Sequence, residues 1–181
     1  MSNSLTNNYL ARKISRAKWS PCTYIPQDGI RADAITACLR TQQDTLSVWQ
    51  CQSLENDIAE VVLALSTVMD RPETINIVLL DKENLNSDGL SLEETPDNTD
   101  TKIEDLRSRH VDIVNLDMSK LCIVAKHVAA KTRDDKDCFN FTRKQVKELI
   151  CKAIREQRLK IDDLKEPMQS EIQKHLNKFS S

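Results

Sequence analysis

At 181 residues the chain suits one domain, or one domain with a small appendage. Its 39% hydrophobic share is low for a globular protein yet enough for a core, and a net charge of −2 on 30% charged residues excludes a polycation that holds nucleic acid by bulk charge. Only two glycines occur, Gly29 and Gly89, so a glycine-rich loop cradling phosphate is not expected.

Residues 1–27 carry no acidic side chain, while Arg12, Lys13, Arg16 and Lys18 cluster there. Leu10, Ile14, Ala17 and Trp19 are interleaved with them, which fits a short amphipathic helix or basic arm. Three readings follow: an arm packed on the body, a contact for nucleic acid or an acidic partner, or an organelle transit peptide. Pro21, Pro26 and Asp28-Gly29 punctuate the next stretch as loop. Ile30 to Arg40 reads as a helix with a small-residue face.

The stretch from Leu46 to Leu80 is the organising unit. Leu46 to Cys51 alternates apolar and polar residues like a half-buried strand. Ile75 to Leu80 is β-branched and almost wholly apolar, like a strand covered on both sides. Between them Leu54, Ile58, Val61, Val62, Leu65 and Met69 fall at helical spacing, with Ser53 as N-cap and Asp70-Arg71-Pro72 as the stop. Strand, helix and strand with short joints predict a right-handed crossover between parallel strands.

From Asp81 to Asp105 nine acidic residues face only Lys82 and Lys102, so residues 84–101 are expected to form a flexible acidic loop or linker. Ile103 to His110 fits one or two helical turns, and Val111 to Leu116 has no clear period. Asp117 suits the N-cap of a helix from Met118 to Lys131, with Leu121, Cys122, Ala125, Val128 and Ala129 inward. Residues 132–137 read as loop.

The best-signposted helix follows. Thr142 and Gln145 make a capping box, and Phe141 with Val146 a hydrophobic staple. Val146, Leu149, Ile150, Ala153, Ile154 and Gln157 mark its apolar face; Arg143, Lys144, Lys147, Lys152, Arg155 and Arg158 mark the other. Glu148 and Lys152 form an intrahelical pair. Leu159 to Leu164 turns the chain, and Pro167 opens a last helix with Met168, Ile172, His175, Leu176 and Phe179 on one side. The two helices must bury that apolar side on the body or on another chain.

The sequence therefore predicts an α/β or α+β fold: a small mixed sheet built on the β-α-β unit of residues 46–80, flanked by helices, with a mainly helical C-terminal part. It divides into an N-terminal part (1–83) with a basic arm, the acidic stretch (84–101) and the helical part (102–181). No cysteine pair has the spacing of a zinc knuckle or redox dithiol, and there is no secretory leader or membrane-spanning run, so reduced thiols in a cytoplasmic protein are expected. His110, His127 and His175 are isolated, and Cys122 and His127 lie off a common helical face, so no metal and no cofactor is expected. Asp163-Leu164-Lys165 resembles half of a nuclease metal site but sits in a turn without a supporting strand.

The expected function is a non-enzymatic accessory or adaptor subunit that docks onto a larger protein partner through helical surfaces. The rivals are a nucleic-acid-binding module using the basic C-terminal helix, and an enzyme whose site assembles only in the fold. Candidate contact residues are Arg12, Lys13, Arg16, Lys18, Arg143, Lys144, Lys147, Lys152, Arg155 and Arg158. In size and layout the chain is similar to the small middle proteins encoded beside an ATPase in bacterial defence operons. That likeness implies a multi-protein complex and carries no site residue.

Overall fold

The computed structural model describes residues 8–20, 29–52, 54–133 and 135–177. Six strands, β1 (Tyr9–Ile14), β2 (Leu46–Cys51), β3 (Ile75–Asp81), β4 (Ser91–Glu94), β5 (His110–Val114) and β6 (Cys138–Phe141), form one sheet in the order β4-β5-β2-β1-β3-β6. Every neighbouring pair is antiparallel. The helices are α1 (Arg16–Trp19), α2 (Ala32–Cys38), α3 (Glu55–Ser66), α4 (Lys82–Ser87), α5 (Met118–Thr132), α6 (Arg143–Arg155) and α7 (Glu166–Asn177). The architecture is α+β.

The β2-α3-β3 unit is present, but its two strands are not neighbours. Both pair antiparallel with β1, which lies between them, so they run in the same direction one strand apart. The segment expected to be a basic amphipathic helix is therefore a central strand. Leu10 and Ala11 are fully buried on its opposite faces, and the burial of both outweighs the two cations that follow. The three central strands, β2, β1 and β3, come from residues 1–83 and are flanked by β5 and β6 from residues 102–181.

Two apolar layers cover the sheet. On one face Ala11, Trp49, Cys51, Ile75, Ile77 and Leu79 meet Ile58 and Val62 of α3, Val146 and Ile150 of α6, and Met168 and Ile172 of α7. On the other, Leu10, Val48, Val78, Leu80, Val111 and Ile113 meet Cys38 of α2, Leu85 of α4, and Val124 and Val128 of α5. The C-terminal helix pair thus buries its apolar side on the sheet and α3. Each fully buried Leu, Ile or Val contributes about 1.5–3 kcal/mol of transfer free energy, so both layers hold the sheet.

Several local expectations are corrected. Residues 84–101, read as a flexible loop or linker, hold most of α4, the edge strand β4 and a 3₁₀ turn at Pro96–Asn98. Asp81 caps α4 by accepting from the Asn84 amide at 3.0 Å, Leu85 and Leu90 are buried anchors, and β4 pairs with β5. Thr101 Oγ1 donates to the Ala64 carbonyl at 3.1 Å and meets Thr67 Oγ1 at 3.3 Å, pinning the acidic stretch to the end of α3.

α3 itself stops at Ser66 rather than Met69, because Ser66 and Thr67 hydroxyls turn back to the carbonyls of Leu63 and Ala64. Leu54, assigned to its apolar face, is 59% exposed. α5 buries Val124, Ala125 and Val128, and Cys122 is exposed, since the helix face set against β3 is rotated from the expected one. The stretch before Thr142 contains a strand, β6, too short to show a period. Ser53, Pro21, Pro26, Cys22, Asp28 and Phe179 lie outside the described residues.

The capping box is as predicted. Thr142 Oγ1 accepts from the Gln145 amide at 3.3 Å, and Gln145 Oε1 accepts from the Thr142 amide at 2.8 Å. Phe141 and Val146 are both buried in the same layer. No helix among the described residues is long and apolar enough to cross a membrane.

Candidate functional site

The ten candidate cations fall into two groups, one on β1 and α1 and the other on and just past α6. Arg12 bonds to α2 on one face, whereas α6 packs on the other.

Arg12 is not a solvated arm residue. The β1–β2 ladder runs only from Tyr9↔Cys51 to Ala11↔Trp49, while β1 stays paired with β3 as far as Ile14↔Asn76. β1 and β2 therefore part at Arg12, and its guanidinium fills the gap. Nη1 donates to the Ser47 carbonyl at 2.6 Å, and Nε and Nη2 donate to the Cys38 carbonyl at 3.1 and 2.8 Å. Cys38 is the last residue of α2, where carbonyls lack intrahelical donors and the helix dipole is negative. One side chain thus joins β1, β2 and α2. Burial pulls the Arg12 pKa down from its ordinary value, and Cys38 and Asp112 act against that.

Beside this clamp lies a polar cavity of about 300 Å³, lined by Arg12, Arg40, Thr45, Asn98 and Asp112 among others. Its rim is the two-residue turn Gln43-Asp44, closed by paired Gln42 and Thr45 backbone bonds at 3.1 and 3.0 Å. Both central residues have positive φ, 52° and 57°, a conformation of mirror-type hairpin turns that usually takes Asn or Gly. Asp112 is 2% exposed; its Oδ2 accepts from Asn98 Nδ2 at 3.2 Å, and its Oδ1 is buried without a hydrogen-bond partner.

The remaining cations of the N-terminal group are peripheral. Lys13 pairs with Glu73 at 2.7 Å, and Arg16 and Lys18 lie on α1.

The α6 group is an outward face stitched to carboxylates. Lys147 and Arg143 share Glu171 of α7 at 2.6 and 3.1 Å, while Lys144 and Lys152 pair with Glu148 and Glu156 at 3.8 and 3.9 Å. The expected Glu148–Lys152 pair is replaced by these two. Lys144, Lys152 and Arg155 remain exposed to solvent.

Arg158, assigned to the same basic face, lies past the helix end. Gln157 takes a left-handed conformation with φ 59°, and the Arg158 amide bonds back to the Ala153 carbonyl at 2.9 Å. That turn swings the guanidinium inward, where Nη2 donates to Glu60 at 2.5 Å and Asp105 at 2.8 Å. Glu60 and then Asp105 hold its pKa above the ordinary value.

The histidines and thiols have structural surroundings. His110 is buried edge-on against Trp49, ring centroids 5.2 Å apart, and its Nδ1 sits 2.9 Å from the Thr95 carbonyl. His127 Nε2 lies 2.7 Å from Asp88. Burial, with Asp57 nearby, pushes the Cys51 thiol up to about 12, and burial also raises that of Cys151, which disfavours the thiolate a nucleophile needs. No group of three metal-ligating side chains occurs among the described residues.

Sequence reasoning missed Asp112 altogether and misplaced the role of Arg12. The signal for the first was a carboxylate inside the apolar run Val111 to Val114, where a charge is retained only with a partner or a use. No protein-family model, curated protein or solved structure matches this chain.

Proposed function

We propose that the protein is a non-enzymatic accessory or adaptor subunit of the cytoplasm that docks onto a larger protein partner through the outer face of α6. The supporting observation is the charge pattern of that face. Its cations alternate with Glu148, Glu156 and Glu171, and the two pairs to Glu171 brace α6 against α7. A mixed-sign, braced surface suits a protein partner with complementary charges. A phosphate backbone would meet three carboxylates along the same face, which weakens the nucleic-acid reading. Cys38, Cys51, Cys122 and Cys151 are free thiols, which suits a reducing compartment.

The test is charge reversal at Lys144, Lys152 and Arg155 together. The reading expects loss of a stoichiometric co-purifying partner, with the melting temperature unchanged. It fails if the variant keeps the partner. It also fails if the wild type binds duplex DNA with an affinity that drops steeply between two salt concentrations.

A further inference from the structure

The cavity at the parting of β1 and β2 is built from fixed charges of both signs. Arg12 lines it with a guanidinium held rigidly by the Ser47 and Cys38 carbonyls. Those bonds use one N–H on each of Nε, Nη1 and Nη2, so one N–H on each Nη remains for a further acceptor. Arg40 adds a second guanidinium at the exposed side. Asp112 contributes a buried carboxylate whose Oδ1 has no hydrogen-bond partner, and no ion pair joins it to Arg12 among the described residues. A buried acceptor left open in this way is the expected mark of a missing donor.

The charges decide what can enter. A free metal ion would meet two guanidinium groups, and a simple anion would meet a buried carboxylate. A molecule carrying both an anionic group and an ammonium satisfies every wall. The volume, about 300 Å³, is near the lower end for small-molecule sites, which suits a ligand the size of one amino acid.

We propose that this cavity binds a small zwitterion, its carboxylate or phosphate held by Arg12 and Arg40 and its ammonium by Asp112. The cavity shares no lining residue with the α6 surface, so its failure leaves the docking proposal standing.

The test uses the full chain with the proteinogenic amino acids, offered singly, and O-phosphoethanolamine as probes. Acetate, inorganic phosphate and ethylammonium serve as half-ligands that carry one charge each. The expected result is a saturable rise in melting temperature, with matching calorimetric binding, for at least one zwitterion and none of the half-ligands. Amino acids alone binding would identify a carboxylate ligand, and O-phosphoethanolamine alone a phosphate. Asp112→Asn should weaken that binding roughly tenfold or more. Arg40→Gln, at an exposed position, should weaken it similarly with an unchanged melting temperature, and it decides the matter if Asp112→Asn does not fold. The proposal is overturned if no zwitterion binds at millimolar concentration, if a half-ligand binds as well as the zwitterions, or if Arg40→Gln binds like wild type.

Discussion

Replacing Arg12 by methionine removes the clamp while keeping much of the side chain's length and apolar stem. Three hydrogen bonds from a charged donor disappear, one to Ser47 and two to Cys38. Such bonds are worth about 1.5–3 kcal/mol each, so the gross loss is roughly 5–9 kcal/mol. Part of that returns because the guanidinium is no longer held out of water, the same burial that lowers its pKa. The net expectation is a loss of about 3 kcal/mol. With a urea dependence of about 2 kcal/mol/M, the unfolding midpoint should fall by about 1.5 M at unchanged slope. Arg12→Lys, which keeps the charge but not the fork, should fall about half as far. Lys144→Met on the exposed face of α6 is the control and should change stability by no more than about 0.5 kcal/mol. Arg12→Met indistinguishable from that control would refute the clamp.

Other consequences are local. Gln157 holds the left-handed position that ends α6, so Gln157→Gly should raise stability by about 1 kcal/mol in the same urea assay, and a loss would count against the described turn. The hydrogen bond from Lys147, and then its charge and that of Arg143, hold the Glu171 carboxyl below the ordinary carboxylate range. A depressed folded pKa gives stabilisation that is present above the unfolded value and lost as pH falls through the folded one. Glu171→Gln should therefore unfold earlier than wild type at neutral pH, and the gap should close as the solution is acidified past the carboxylate range. Under native conditions at mildly alkaline pH an alkylating reagent should modify exposed Cys122 well before Cys51 and Cys151, which should react only on unfolding; peptide mass spectrometry reads the order.

What could be read from the residues was local. The end of β6 and the start of α6 are written in contiguous positions: Thr142 and Gln145 bond each other across one turn, and Phe141 and Val146 flank it. α3 and β3 were legible in outline, α3 because Ile58, Val61 and Val62 recur at helical spacing and β3 because a continuous β-branched run suits a strand covered on both faces. What was not legible depended on contacts distant in sequence. β1 looks basic and amphipathic in isolation; only Cys38 and Ser47, some 26 and 35 residues away, turn Arg12 into a bridging residue of a central strand. The insertion of β1 between β2 and β3 leaves no trace in either strand's composition. The acidic stretch misled for a related reason. Its charges point outward, but two leucines and two threonine hydroxyls suffice to tie it to the sheet and α3. The carboxylate of Asp112 acquires meaning only when Arg12, Arg40 and Asn98 meet around the same cavity.

The docking proposal is tested most directly by covalent amine footprinting of the protein alone and in its purified complex. The account predicts that Lys144 and Lys152 on α6 become protected in the complex while Lys82 and Lys120, on the other side of the sheet, stay reactive. Equal labelling of Lys144 and Lys152 in the free and bound states would contradict it.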